Sequence, residues 1–421
     1  MWRRLMAAFF GAAALTFVLA PAASAHGEKS QEGFLRMRTV AWQDVKFSSD
    51  NVQQGQTLTV TGTVKIMDAW PSSLAKGQPN TCYMGMVSPG PTILIKERTI
   101  NGVSMPTRID CAKGKIYDFS MTVAGRRVGK WHVHPSFSVK GAGTLIGPGE
   151  WLNITKNPAG FRNEATLLNG KTVNLENYNL TFIWFWLIAT ALIGVAWMLY
   201  WTVPRRHRTV TNLAVTSQIP LNTDGGEYGL ITKRDHRDMN IFLVVSIAVL
   251  AVGWIYQAAA YPTKIPQQII QFAPPDIPRP APTVSVDEGK SKAIYDANAK
   301  QVILQVTAKN EGKTDAQLNR FYVADLTWFN QAVPDSKPTG PQAVDTTYAM
   351  NVENDTIAPG GTQDIKITMP SDVWIKQEKL LPIGESQLTV TGLLHFQPTS
   401  GGGDASDVEV DEPLTPTSFK I

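Results

Sequence analysis

Cysteine is almost missing from this chain: Cys82 and Cys111 are the only two in 421 residues. They stand too far apart for a site built on paired thiolates a few residues from each other. Histidine is scarce as well, with six residues, and neither histidine nor the 12 methionines form a rich tract. That excludes a surface built for storing or handing over metal through many such ligands. An excess of one charge is also lacking, since 39 Lys and Arg face 35 Asp and Glu. Nothing in that balance points to nucleic acid as a partner.

What the chain does have is three long uncharged runs, and at this length two globular domains with connecting segments are the natural expectation. The first run is a secretory signal at residues 1–25. Arg3 and Arg4 form its basic start, residues 5–20 its apolar stretch, and Ala23-Ser-Ala25 its small-residue cleavage site. Cleavage there makes His26 the new N-terminus and leaves 37 basic residues against 35 acidic ones.

The second run, residues 180–203, is 24 residues without a charge, about 36 Å of helix against a hydrocarbon core of about 30 Å. The third occupies 240–261, with 20 uninterrupted uncharged residues at 241–260. Trp184, Trp186, Tyr200 and Trp201 lie near the ends of one span, and Trp254, Tyr256 and Tyr261 near one end of the other, as interfacial aromatics do. The intervening loop, 204–239, carries Arg205, Arg206, Arg208, Lys233, Arg234 and Arg237 close to the spans. The positive-inside rule assigns it to the cytoplasm and both large segments to the other side. The signal peptide independently requires the same orientation for the first segment.

Residues 26–179 read as short strands between glycine and proline turns, with alternation over 57–66 and 117–123. The pattern returns in 286–421, at 302–308, 363–369 and 387–396, so the expected architecture is mainly β, two β-sandwich domains flanking a hairpin of two transmembrane helices. Five prolines from Pro274 to Pro282 mark 262–285 as a stiff spacer that lifts the second domain away from the membrane. Residues 401–412, three glycines followed by Asp404, Asp407, Glu409, Asp411 and Glu412, read as a mobile acidic loop. In an exported domain Cys82 and Cys111 suit a disulfide, the alternative being thiolate ligation of a metal together with Met84 and Met86.

Among the histidines, His207 and His236 sit between arginines and His395 stands in a strand; none of these has an evident partner in the sequence. His132 and His134, in Lys130-Trp-His-Val-His-Pro135, are different. Residues two apart on a strand project from one face and can converge on one ion. An N-terminal His26 adds its free amine and its ring, giving up to four nitrogen donors from three residues. Such a set suits Cu(II); zinc would give no reason for a free amine at the site.

These motifs resemble the B subunit of the copper membrane monooxygenases, the family of particulate methane, ammonia and short-chain hydrocarbon monooxygenases. The resemblance rests on His26-Gly-Glu-Lys-Ser-Gln31, Phe34-Leu-Arg-Met-Arg-Thr39, Gly129-Lys-Trp-His-Val-His134, Gly147-Pro-Gly-Glu-Trp151 and the 168–177 segment. It implies cupredoxin-like β domains, copper held by His26, His132 and His134, and partner A and C subunits in a trimer of three-subunit protomers. It further implies O2 and a small molecule as substrates, a bacterial cytoplasmic membrane with its lipid as surroundings, and the β domains on the periplasmic side. It assigns no catalytic residue. A membrane-tethered copper chaperone is the alternative reading. One departure is Ala41, where many methane-oxidising members carry a histidine: Ala41 cannot ligate metal, so the additional copper site near that position is expected to be absent.

Overall fold

The computed structural model describes residues 32–105, 108–166, 170, 172–202, 233–260, 271–338, 346–381, 388–399 and 404–416. The signal segment, His26, the arginines at 205–208, His207, and Gly401 to Gly403 lie outside them.

The first β domain packs two sheets around one core. One sheet runs Val40–Phe47, Thr57–Ile66, Ile116–Gly125, Ile93–Ile100, Val103–Ser104. The other runs Gln271–Phe272, Arg108–Ile109, Cys82–Val87, Gly129–Val139, Glu150–Thr155, Asn51–Gln53. Alternation drives both: in Thr57–Ile66, Leu58, Val60 and Val64 turn inward, and in Ile116–Gly125, Tyr117, Phe119, Met121 and Val123 do the same. Cys82 and Cys111 form a disulfide with their Cα atoms 5.9 Å apart, which removes them as thiolate ligands.

In the second β domain nine strands follow the order Leu326–Asn330, Thr347–Glu353, Thr362–Pro370, Gln301–Asn310, Val284–Asp296, Ser406–Pro416, Thr389–Pro398, Ala316–Val323, Thr356–Ile357. Leu326–Asn330 also pairs with Ala316–Val323, so the sheet closes on itself. Trp328 and Trp374 stack at 5.6 Å in its interior.

Three sequence expectations are overturned here. From Ser406 the acidic run is not a loop: Ser406–Pro416 is a strand, paired with Thr389–Pro398 over Ser406–Pro413, and three of its carboxylates, those of Asp407, Glu409 and Asp411, have fixed partners. Asp411 holds Arg38 at 3.0 Å, and Glu409 holds Lys65 at 3.3 Å and accepts the backbone N–H groups of Asp68 and Ala69. His395 is not alone, because its Nδ1 lies 2.6 Å from Asp407 Oδ1. Nor does the proline-rich stretch stand free. It is extended, as proline dictates, but Gln271–Phe272 pairs with Arg108–Ile109, Asn101 donates to the Pro275 carbonyl, Lys115 meets Asp276, and Arg279 meets Asp118. It is a strap laid along the first domain.

The seam between the β domains is continuous with both. Ala41, Met67, Tyr322 and Leu393 form one buried cluster, and Trp42 N–H donates to the Ala324 carbonyl. Asp44 takes a positive φ of 48° at a bulge, a conformation Asp tolerates, and its carboxylate meets Arg320 at 2.6 Å.

Asp407 sits in this seam, with Gln43 donating to its second oxygen at 2.9 Å. Burial alone would raise its pKa. The hydrogen bond and charge of His395, the Gln43 bond and Lys65 outweigh that and hold it below the usual carboxylate value. A carboxylate depressed in the folded state adds stability above its unfolded pKa of about 3.9, and that contribution is lost as pH falls through the lower folded value. Thermal melts of wild type and Asp407→Asn should therefore differ clearly at pH 5 and converge as pH falls below about 4. A difference that persists undiminished at lower pH would contradict this assignment.

Helix α1 is the short Gly33–Thr39 segment; α2 is Leu180–Thr202 and α3 is Lys233–Ala260, which begins seven residues before the expected span at 240. Helices α2 and α3 lie antiparallel, as Phe182 meets Tyr256 and Trp197 meets Phe242, with ring centroids 5.6 and 4.8 Å apart. Gly253 lets Trp186 pack against the α3 backbone. Both helices contain stretches long and apolar enough to cross a membrane, Leu180–Tyr200 and His236–Ala259. Apolar side chains such as Leu192, Val252 and Trp254 face outward, more than 60% exposed, which an aqueous surface would penalise.

Candidate metal centre

The strand Gly129–Val139 divides its side chains by parity. Val133, Phe137 and Val139 enter the first domain's core, while His132, His134 and Ser136 share the opposite face. That face is roofed rather than open. Gly143–Ile146 pairs back on the strand, the chain bulges through Gly147-Pro-Gly149, and Glu150–Thr155 continues the pairing along the same edge, opposite Cys82–Val87. Beneath this cover His132 is 9% and His134 4% exposed.

Glycine at 149 is a packing requirement, because a Cβ there would overlap the His134 ring, just as one at Gly147 would press on the Trp42 indole. The close approach brings the Gly147 carbonyl to 2.9 Å from His134 Nδ1. A carbonyl only accepts, so Nδ1 carries the proton and Nε2 presents its lone pair. That lone pair points to His132 Nδ1, 3.0 Å away, with the two rings nearly perpendicular at 80°. Trp151, directly across the ladder from His132, stacks on its ring at 4.8 Å and 27°, and Lys130 Nζ lies 5.5 Å from the Trp151 ring.

This pair fits a shared metal ion. Two nitrogens each about 2.0 Å from one ion and at a right angle to each other stand about 2.8 Å apart, close to the observed 3.0 Å. The Gly147 carbonyl supplies the outer-shell acceptor that metal-ligating histidines commonly have, and it orients one ring. Without an ion, His132 Nδ1–H donates to His134 Nε2 in the same geometry. Of the three sequence-derived ligands, the structure thus brings His132 and His134 together, and His26 lies outside the described residues. Among the described residues no group of three or more His, Cys, Asp or Glu could hold a metal ion. Ala41, fully buried in the seam between the β domains, adds no donor.

Trp151 and the Gly147-Pro-Gly149 turn were visible in the sequence only as parts of a motif; their roles in stacking on one ring and roofing the other depend on a strand pairing that no local pattern announces. The turn yields a direct test. In Gly149→Ala the new methyl must push the turn off the His134 ring, lengthening the Nδ1 to Gly147 contact. Metal affinity should fall about 10- to 100-fold, the cost of losing an orienting outer-shell contact, with a stability loss of about 1–3 kcal/mol for overpacking. Chelator competition and a urea melt read both.

Comparison with known proteins agrees with the architecture. Residues 27–418 match the family model Monooxygenase_B, which describes the B subunit protein of monooxygenases. The chain is 31% identical over 411 residues to the particulate methane monooxygenase alpha subunit of Methylococcus capsulatus (strain Bath), covering 96% of this chain and 95% of that one. Among solved structures, the cupredoxin domain of amoB from Nitrosocaldus yellowstonii covers 32% of this chain and 98% of its own at 14% identity and a TM-score of 0.24. At that score the β-sandwich assignment rests on the strand pairing itself. With the family model spanning nearly the whole chain and the methane monooxygenase relative matching from end to end, this chain belongs to the B-subunit family of monooxygenases.

Proposed function

We propose that this chain is the copper-binding B subunit of a membrane-bound monooxygenase complex that uses O2 to hydroxylate a small substrate: ammonia, methane or a short-chain alkane or alkene. The observation that carries the reading is the buried pair of ring nitrogens, His132 Nδ1 and His134 Nε2, 3.0 Å apart with one ring oriented by a carbonyl. His26 completes the set with its amine and ring once the signal segment is removed. Neutral nitrogen donors with an amine among them favour copper over zinc. Copper bound there would supply a redox-active centre.

The chain's own residues do the holding. His132 and His134 bind, Gly147 fixes the tautomer, and Trp151 covers one ring face. Helices α2 and α3 anchor the chain in the cytoplasmic membrane of a bacterium, and both β domains stand on the periplasmic side. The A and C subunits, joined with this chain in a trimer of protomers, provide the substrate contacts. The methane-oxidising relative supports the substrate class, while Ala41 argues against the additional copper site of methane-oxidising members.

The test is purification from native membranes under mild detergent. Two hydrophobic multi-span proteins should co-purify, the mature chain should begin at His26, and the complex should contain copper. A chain that purifies alone, or one that begins elsewhere than His26, would overturn this reading.

A further inference from the structure

The near-balance of charge over the whole chain hides an asymmetry between the β domains. Residues 40–161 carry 13 Lys and Arg against 7 Asp and Glu, while residues 284–416 carry 10 against 19. Part of this excess is used across the seam, where Lys65 meets Glu409 at 3.3 Å. Arg108 and Lys140 are not used that way. Both are exposed, and among the described residues neither forms an ion pair.

These two cations stand on either bank of a groove of about 400 Å³ on the outer face of the first domain. Thr81, Tyr83, Ser138 and Thr144 line it with them. Parity puts them there. Cys82 pairs with Val139 on one side and Ile109 on the other, and all three enter the core, so their neighbours Thr81, Tyr83, Ser138, Lys140 and Arg108 face outward. The strands that carry the two cations are two strand spacings apart, about 10 Å. The groove is separate from the histidine pair, because Ser138 lies four residues beyond His134, about 13 Å along the strand.

The groove is also held in shape. The Cys82–Cys111 disulfide and the pairing of Gln271–Phe272 with Arg108–Ile109 fix the strands beneath it. Ser138 Oγ and Thr144 Oγ1, 2.9 Å apart, add a hydroxyl pair to one wall. Among the described residues no carboxylate lines it, and Asp110, the acid nearest Arg108 in sequence, accepts the Gln271 amide instead. A groove of about 490 Å³ in the second domain makes the contrast: it has Lys290, Lys292 and Lys366, but Glu353 and Asp364 share its wall, and Lys366 sits on Glu353 at 2.7 Å. That groove neutralises itself. The one in the first domain does not, and the surplus positive charge around it concentrates anions there.

We propose that the groove between Arg108 and Lys140 is a binding site for a small polyanion whose charged groups are phosphate or carboxylate. The Arg108 guanidinium takes one group through its fork of N–H donors, and the Lys140 ammonium takes a second as a point charge. The volume equals that of about 13 molecules of liquid water, more than a single inorganic phosphate fills, and suits an anion with one group for each cation. Both cations are exposed, so binding is salt-sensitive.

The test is calorimetric titration of the purified complex with sodium pyrophosphate and with sodium citrate in low-salt chloride buffer. Wild type should bind at least one of the two at millimolar concentration or below, and more weakly as chloride is raised. Arg108→Gln combined with Lys140→Gln should weaken that binding by about tenfold or more, the loss expected when hydrogen bonds to charged groups are removed. Lys290→Gln combined with Lys292→Gln, in the self-neutralised groove, should leave it unchanged. Mixed micelles of phosphatidylglycerol that displace pyrophosphate would identify a lipid head group as the source of the anion, and micelles that do not would identify a free one. Binding of neither probe to wild type overturns the inference, as does equal binding in the Arg108 and Lys140 double variant or an equal loss in the Lys290 and Lys292 one. A polyglutamate peptide that binds where neither probe does would make the groove a protein-docking surface instead.

Should the Arg108 and Lys140 double variant fail to assemble, chemical protection of wild type decides. Pyrophosphate should slow acetylation of Lys140 and leave that of Lys290 unchanged; equal rates at Lys140 with and without it overturn the inference.

Discussion

His134→Ala is expected to lower copper affinity by more than 100-fold, beyond the 10- to 100-fold that changes to outer-shell partners cost. The reason is geometric. His134 is the ring with both nitrogens committed, Nδ1–H to the Gly147 carbonyl at 2.9 Å and the Nε2 lone pair toward His132 at 3.0 Å. Removing it deletes one donor, strands the buried carbonyl and lets the Gly147-Pro-Gly149 turn settle into the space. The stranded carbonyl alone costs about 1–3 kcal/mol, so a modest drop in melting temperature should accompany the loss of metal. Val133→Ala, one residue away but on the core face, should show the opposite pattern: a stability loss with copper affinity kept. Equal copper affinity in His134→Ala and wild type, by chelator competition, would remove His134 from the ligand set.

The second large effect is on stability. Replacing Cys82 and Cys111 together by serine opens a loop of 29 positions, and the chain-entropy estimate for that closure is about 3–4 kcal/mol. The consequence should extend beyond the bond. Cys82 pairs with Ile109 in the sheet, and Arg108–Ile109 is in turn the docking strand for Gln271–Phe272 of the strap. Loosening one loosens the other. Urea denaturation of the double variant should show the expected loss, and limited proteolysis should cut the strap near Gln271 faster than in wild type. A loss below about 1 kcal/mol with an uncut strap would show that the sheet holds this corner without the disulfide.

Much of this architecture is legible in the residues because its causes are local. Alternation at 57–66 and 117–123 needs only side-chain parity, and the two helices need only length and apolarity. The His-x-His pair is legible for the same reason, since parity alone puts both rings on one face. What the chain hides are partners distant in sequence. Asp404 to Glu412 look like a solvated run because five acids so close together suggest mutual repulsion. From Ser406 onward the run is a strand whose side chains alternate, and Asp407, Glu409 and Asp411 find His395, Lys65 and Arg38. The strap looks free because proline dictates only that it is extended, not what it lies against. Helix α1 is hidden twice over: seven residues are too few for a helical period to stand out, and its core belongs to a domain that begins some 250 residues later. In the candidate site the two ring donors were readable, but the carbonyl at Gly147 and the stacked Trp151 were not, because both come from the neighbouring turn and strand through pairing.

Everything proposed for this site turns on which nitrogens hold the copper. Pulsed EPR on the purified complex, grown once with natural histidine and once with 15N-histidine, counts them directly. Three distinct imidazole couplings and one amine coupling are expected, all carried by histidine nitrogen because the amine is that of His26, and His132→Ala and His134→Ala should each remove one imidazole. A signal with fewer than two histidine imidazoles, or one that both variants leave unchanged, would contradict the assignment.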